Sequence, residues 1–319
     1  MNNTFEEIRS LINSSGSIAI SGHTSPDGDA VGACAALGMS LKEMGKEIKI
    51  ILEPYSETFS VIPTGGLVSN DVDDGYLPEL YISLDCGDKE RLGKNKAVFE
   101  KAGHTINIDH HKSNTFFGEL NYVEENSSST CEIVFRLING YYPVNADIAA
   151  AIYTGLVFDT GGFRHTSTGA STLKAAGELL EYDFDFNKIY NSIFFSRRFE
   201  EAKIMGTALT NLKLYYGGAV AASYATGEEM KACGAVSDDV SEISGYLKGI
   251  INTEVSVFVY EKEHGVFKAS MRSENGVDVS KIAVMFGGGG HAKAAGCTVC
   301  GKEIDVVLKN ILDKIGEEL

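Results

Sequence analysis

The chain has 319 residues, 44% of them hydrophobic, with five prolines and a formal net charge of −16. That length exceeds what a single core usually serves, so two domains are expected. The acidic balance disfavours a long DNA or RNA duplex as the main partner, because such binding draws on basic surface and counterion release. A short anionic substrate fits if a local cationic centre, such as bound metal ions, offsets the field.

The stretch MNNTFEEIRSLINSSG has no basic region followed by an apolar core, and no apolar run nears the roughly 20 residues of a membrane span. A soluble, cytoplasmic protein with no membrane partner is expected. Six cysteines are scattered at 34, 86, 131, 233, 297 and 300, which reads as a reduced chain and not as a disulfide framework. Cys297 and Cys300 form a single C-x-x-C. A zinc site would want a second such pair, so these read as strand residues near the chain end.

In chain order, SIAIS (17–21) reads as a buried strand, AVGACAALGMSLKEMG (30–45) as a helix closed by Gly45, and KEIKIIL (46–52) as the next strand. That is a β-α-β unit. ELYISLD (79–85) and HTINID (104–109) are further strands, each ending in an aspartate, and 145–161 and 169–182 read as helices. The alternation predicts an α/β fold, with a parallel sheet covered by helices on both faces. A polar, aromatic-studded stretch reads as helical linker over 186–212. It separates a first domain, 1–185, from a smaller α/β domain, 213–319. That second domain opens on an apolar run (217–226), continues in a hairpin-like pair (254–273) and ends in a helix.

Ligands of open α/β sheets collect at the carboxyl ends of the strands, and the acids fall there. His23, Asp27 and Asp29 follow the first strand, Asp85 closes ISLD, Asp109, His110 and His111 close INIDHH, and Asp159 ends the helical run GLVFD. Each has a plain reading alone: Asp29 as a helix cap, DHH as a polar loop, Asp159 as a cap or an arginine partner. Together they repel one another unless cations are bound. Mixed imidazole and carboxylate donors without thiolate suit Mn²⁺ or Mg²⁺, with Fe²⁺ or Co²⁺ compatible. The supply serves two ions about 3.5–4 Å apart, the spacing used to hydrolyse phosphoesters. In FGGGGHAKAAG (286–296), the glycines let backbone N–H groups approach an anion, and His291 and Lys293 follow. A flexible hairpin turn is the plain alternative. Arg272 and Ser273, at the end of FKASMRS, add donors suited to phosphate. His104 and His264 lack acidic company in the sequence and read as structural.

GHTSPDGDAVGA, LDCGD, IDHHKSN and FDTGGF, in this order, resemble the four motifs of the DHH phosphoesterase superfamily, and RSENGVDVSKIAVMFGGGGHAKAAG resembles the signature of its DHH-associated C-terminal substrate domain. The resemblance spans nearly the whole chain, and the two-domain plan is most similar to the branch of bacterial nanoRNases (oligoribonucleases) and 3′-phosphoadenosine-5′-phosphate (pAp) phosphatases. It implies two-metal hydrolysis, with Mn²⁺ as the cofactor, of short RNA and linear dinucleotides such as pApA and pGpG, and of the nucleotide bisphosphate pAp. His23, Asp27 and Asp85 would hold one ion, and Asp29, Asp85, His110 and Asp159 the second, with Asp85 bridging. Asp109 would orient a histidine ligand and His111 would face the scissile phosphate. Arg272, Ser273, His291 and the backbone of Gly288, Gly289 and Gly290 would hold the rest of the substrate. A cleft capped by the glycine loop would favour roughly two to five nucleotides by positioning. The family's expected arginine is replaced by Gly162, and Arg164 lies two residues on, followed by His165.

A cyclic-dinucleotide phosphodiesterase or a RecJ-like single-strand exonuclease would use the same ligands. A manganese pyrophosphatase is disfavoured by the GGGGH loop, and a sensor that has lost catalysis by the presence of every expected ligand. The sequence carries no signature of an oligomeric interface and leaves a homodimer open.

Overall fold

The β-branched runs of the first half are too apolar to be covered on one side only, and strand–helix alternation gives them two covered faces. The computed structural model describes residues 2–71 and 75–319, and the chain divides into two units, Met1–Ser196 and Arg197–Leu319. The first contains α1 (Phe5–Ser14), β1 (Ser17–Ser21), α2 (Gly28–Glu43), β2 (Glu47–Ile51), β3 (Val68–Ser69), β4 (Leu80–Leu84), α3 (Lys96–Phe99) and β5 (His104–Asp109). It continues through β6 (Leu120–Val123), α4 (Thr130–Ile138), α5 (Ala146–Asp159), α6 (Ala170–Leu179) and α7 (Phe186–Tyr190). The expected α/β class and parallel sheet are present. Among these elements α1, β3, α3, β6 and α4 lie outside the predicted strands and helices.

The six strands run in the order β3-β2-β1-β4-β5-β6 and all neighbours are parallel. The chain builds outward from β1 to one edge, then returns to lay β4, β5 and β6 on the other side. The point of reversal, between β1 and β4, is where helices diverge to opposite faces and a crevice opens at the carboxyl ends. Side chains alternate across the pleat. Ile18, Ile20, Ile50 and Ile82 enter the large core with α2, α4 and α5, whereas Ala19, Ile51 and Tyr81 enter a smaller core with Leu92, Val98 and Phe99. Each fully buried aliphatic side chain contributes on the order of 1.5–3 kcal/mol.

Helix α2 starts where Asp27 Oδ1 accepts from the backbone N–H of Asp29 and of Ala30. The cap is therefore Asp27, and Asp29 is free for another role. Gly45 closes the helix in the left-handed region, at φ +81°. Helices α2 and α5 pack closely through small residues. A Cβ on Gly155 of α5 would lie 2.3 Å from Cys131 Sγ and 2.7 Å from Asp29 Oδ1, both buried.

The second unit contains α8 (Phe199–Thr210), β7 (Lys213–Tyr215), β8 (Val220–Ala225), α9 (Gly227–Cys233), α10 (Ile243–Lys248), β9 (Val255–Glu263) and β10 (Val266–Ser273). It ends with α11 (Val279–Met285), β11 (Gly289–His291), β12 (Ala294–Cys300) and α12 (Ile304–Glu318). Its sheet runs β11-β12-β10-β9-β8-β7, antiparallel except for the parallel pair β8–β9. One face buries Val257, Phe267, Ala269 and Met271 against α11 and α12. On the other, the cluster with α8, α9 and α10 takes Ala221, Ala225, Phe258 and Tyr260 from β8 and β9 alone. The outward residues of β10 and β12, such as Lys268 and Thr298, are exposed there.

The stretch 186–212 is helical and is divided between the units. Ile189 of α7 joins the first core, and Ile204 and Ala208 of α8 join the second unit's core. Cys297 is buried on β12 and Cys300 is exposed, three residues on and so on the opposite face, which removes the C-x-x-C pair from consideration as a metal clamp. Among the described residues no helix is long and apolar enough to cross a membrane.

Replacing Gly155 by alanine favours helix formation by about 1 kcal/mol but overpacks the α2–α4–α5 contact at a cost of about 1–3 kcal/mol. Gly155→Ala is expected to lower the urea midpoint with unchanged slope. An unchanged or raised midpoint would show that the contact can relax.

Candidate metal centre

Four chain segments bring their polar residues to the crevice between β1 and β4. The loop after β1 carries His23 and leads into Asp27 and Asp29 at the start of α2. Asp85 follows β4 directly, His110 and His111 follow β5, and Asp159 is the last residue of α5. Asp85 has a left-handed backbone, φ +54°, which is uncommon for a residue with a Cβ. The conformation is held by its N–H, which donates to Ile108 O of β5 at 3.0 Å. Local strain of this kind persists where the surroundings over-determine it, and it gathers at functional sites.

Three groups of donor atoms lie within 4.8 Å of one another: His23, Asp27 and Asp85; Asp29, His110 and Asp159; and Asp85, His110 and His111. Asp85 is shared and only 1% exposed. Its Oδ2 lies 3.6 Å from His23 Nε2, while its Oδ1 lies 3.5 Å from His110 Nε2. Asp27 Oδ2 stands 3.7 Å from His23 Nε2 and Asp159 Oδ2 3.2 Å from His110 Nε2. The structure thus brings together all six residues expected as ligands, with Asp85 between the two sets.

The imidazoles are oriented as metal ligands are. His23 Nδ1 donates to Thr24 O at 2.7 Å and His110 Nδ1 to Ser127 O at 3.3 Å, which leaves both Nε2 atoms facing carboxylates. Asp109 also orients a histidine, but it is His111 and not a residue of the two expected ligand sets. His111 Nδ1 donates to Asp109 Oδ1 at 2.7 Å, and Asn114 Nδ2 donates to Asp109 Oδ2 at 2.6 Å. The orienting group for His110 is a backbone carbonyl, which residue identity cannot reveal.

Protons offset the acids when no cation does. Burial opposes the charge on His23, yet hydrogen bonds to Asp27 and Asp85 outweigh it and raise its pKa to about 10. For His110 burial again opposes the charge, and the bond to Asp159 with the charges of Asp29 and Asp85 raises it to about 10. Asp29, fully buried beside Asp85 and Asp159, is pushed well above the usual carboxylate range, first by burial. Burial also raises Asp159. His111 is raised by its bond to Asp109. A donor set of carboxylates and outward-turned imidazole Nε2 atoms, with its ion pairs made to histidines, fits hard divalent cations.

Residues that were not singled out in the sequence close the centre from behind. Thr130 N donates to Asp29 Oδ2 at 2.6 Å, Cys131 N to Asp29 Oδ1 at 2.9 Å, and Thr130 Oγ1 to Asp85 Oδ1 at 3.0 Å. The local signal for this helix start is the S-x-x-E spacing of Ser129 and Glu132 before an apolar run. Gly161, Gly162 and Phe163 all have positive φ, so the chain reverses sharply after Asp159. Arg164 is exposed beyond this turn, and His165 Nδ1 donates back to Asp159 O at 3.1 Å.

In the second unit, Arg272 of β10 and His291 of β11 both stand in register with Ala294 of the intervening β12, so their side chains share one sheet face. They lie two strand spacings apart, about 10 Å, with small Ala294 between them. Gly289, Gly290 and His291 are exposed, and Gly288 is half-buried. A Cβ on Gly288 would meet Gly296 O at 2.2 Å, so glycine is required there by the hairpin with β12 itself. Ser273 is not brought to that surface. It is fully buried, donating to Glu254 Oε1 at 3.3 Å, and the same oxygen accepts from the N–H groups of Asn275, Gly276 and Val277.

The chain belongs to the DHH family: residues 17–156 match the DHH family N-terminal domain and residues 217–317 the DHHA1 domain. It is a phosphoester hydrolase of that family. Among its relatives is the bifunctional oligoribonuclease and PAP phosphatase NrnA of Thermus thermophilus, 31% identical, with 95% of this chain and 90% of that protein covered. The Bacillus subtilis protein of the same description is 28% identical over 87% of each chain. An exopolyphosphatase-related protein from Bacteroides fragilis has a solved structure that superposes with a TM-score of 0.83 at 27% identity, covering 97% of this chain and 95% of that one.

A histidine with a raised pKa is protonated at neutral pH, and that proton must leave before Nε2 can ligate. Adding Mn²⁺ to the chelator-treated protein at pH 7 is expected to release protons, and affinity should rise with pH across the neutral range. Proton release, read with an indicator dye in weak buffer, is the check. Binding with no proton release would show that His23 and His110 are already neutral.

Proposed function

We propose that this chain is a cytoplasmic, manganese-dependent phosphodiesterase and phosphatase. Its substrates in this reading are short linear oligoribonucleotides such as pApA and pGpG, cleaved to mononucleotides, and pAp, converted to AMP. The single observation that carries the reading is the shared Asp85 carboxylate, set between two groups of imidazole and carboxylate donors at the sheet's reversal point. The two NrnA relatives, aligned over most of both chains, support the substrate class. Six free cysteines support a reducing compartment.

His23, Asp27 and Asp85 would hold one ion, and Asp29, Asp85, His110 and Asp159 the other. Two bound Mn²⁺ ions supply Lewis-acid activation of water near neutral pH and neutralise charge on the phosphoryl oxygens. The protein's own groups do the rest. Burial of Asp29 and Asp85 excludes bulk water from the back of the site, which strengthens every charge interaction there. His111, turned by Asp109 and Asn114, would present its Nε2 to a phosphate oxygen, and its hydrogen bond to Asp109 favours the cationic ring. Arg272 and His291, on one face of the second sheet, would bind the substrate's other phosphate, with the backbone of Gly288, Gly289 and Gly290 beside them. Arg272 is suited to this because its fork matches phosphate oxygens. A chain of net charge −16 repels long polyanions, which favours short substrates.

Chromatography after incubation of the protein with pApA and Mn²⁺ should show AMP, and EDTA should abolish it. Asp85→Asn should reduce the rate by more than roughly 100-fold, beyond the loss typical of groups that only support a ligand. A 24-mer should be cut much more slowly than the dinucleotide. No AMP from pApA would sink the oligoribonuclease reading, and equal rates on the 24-mer would sink the length limit.

A further inference from the structure

One short turn, Ser127 to Thr130, touches three of the six candidate ligands. Ser127 O accepts from His110 Nδ1, Thr130 N donates to Asp29 Oδ2, and Thr130 Oγ1 donates to Asp85 Oδ1 at 3.0 Å. Thr130 is fully buried, so its hydroxyl has no water to choose instead. The contact matters because the terminal torsion of an aspartate is broad and roughly two-fold. Left alone, the Asp85 carboxylate would rotate, yet the centre needs Oδ2 toward His23 and Oδ1 toward His110. The hydroxyl of Thr130 holds the plane of the carboxylate, so that one oxygen faces each donor set.

The turn is itself anchored from below. Glu132 is 2% exposed, and its Oε2 accepts from Ser128 Oγ at 2.6 Å, from Ser128 N at 3.3 Å and from Thr172 Oγ1 of α6 at 2.8 Å. Its N–H is capped by Ser129 Oγ at 3.0 Å. Burial pulls its pKa up, but the hydroxyl donors outweigh burial and hold it below the usual range.

We propose that Thr130 is a positioning residue for the metal centre, its hydroxyl setting the rotation of the shared Asp85 carboxylate, and that Glu132 anchors the turn that presents it. The inference rests on the two-metal reading of the site. Calorimetric titration of Mn²⁺ into the chelator-treated full chain tests it, with Thr130→Ser and Thr130→Ala compared. Both lose the methyl group and differ only in the hydroxyl, so shared packing losses cancel. The alanine variant should bind at least one ion roughly 10–100-fold more weakly than the serine variant, and kcat on pApA should fall with KM nearly unchanged. Glu132→Gln should weaken Mn²⁺ in the same direction.

Equal Mn²⁺ affinities in the serine and alanine variants would overturn the proposal. If the alanine variant does not fold, the isosteric Thr130→Val is compared with the unmodified chain on the same titration. Failure of both to fold, with Thr130→Ser folded, would assign Thr130 to folding and overturn it as well. An unmodified chain that binds no Mn²⁺ would defeat the metal-centre reading, separately from the role of Thr130.

Discussion

The repulsion among buried carboxylates at one sheet edge is the constraint on which this structure turns. Asp29 and Asp85 are shielded from water, and two unit charges about 4 Å apart interact by roughly 4 kcal/mol at the effective dielectric of a protein surface. The fold offsets this in two ways. Backbone N–H groups at the start of α4 take both oxygens of Asp29, and imidazoles face Asp85 from both sides. Both devices leave a net demand for positive charge, which protons meet at His23 and His110 and which divalent cations meet better. An enzyme for short anionic phosphoesters gains from the same demand, because the cations that relieve the protein's charge also meet the substrate's.

The scaffold makes the convergence geometrically cheap. A parallel sheet whose strand order reverses between β1 and β4 opens its helices apart at that point, so the loops after those strands face one crevice. Asp159 reaches it from the end of α5, and α5 can lie so near α2 because Gly155 presents no side chain to Asp29 and Cys131. The left-handed backbone at Asp85 turns the chain at the strand end and is held by β5. These features are coupled: a bulkier residue at 155, or a relaxed Asp85, would move a ligand and not merely loosen a core.

The second unit solves a different problem. Its sheet is antiparallel over most of its width and leaves outward residues of β10 and β12 open on one face, as antiparallel sheets can. A shallow floor at Ala294 between Arg272 and His291 follows from strand register alone. The glycine run serves the hairpin with β12 as much as any ligand, since Gly288 sits where a Cβ would strike Gly296 O. Glu254, accepting from three successive backbone N–H groups and from Ser273, holds the loop that follows Arg272.

By itself the sequence determined the α/β class, the strands at 17–21 and 104–109, the main helices and the pool of eight acids and histidines from which family resemblance chose the six candidate ligands. Periodicity and residue chemistry are local, and acids placed after apolar runs declare themselves without tertiary information. Family resemblance added their grouping and the sharing of Asp85. Only the tertiary structure decided the strand order that puts β1 beside β4, the pairing of Asp109 with His111, the burial of Ser273, and the place of Thr130 and Glu132 behind the centre. All but the Asp109–His111 pair depend on contacts between residues far apart in the chain: Thr130 meets Asp29 across 101 positions and Asp85 across 45. A serine-rich turn before an apolar helix looks the same in sequence whether it faces solvent or supports a ligand. What distinguishes the two is which carboxylate the fold brings against it.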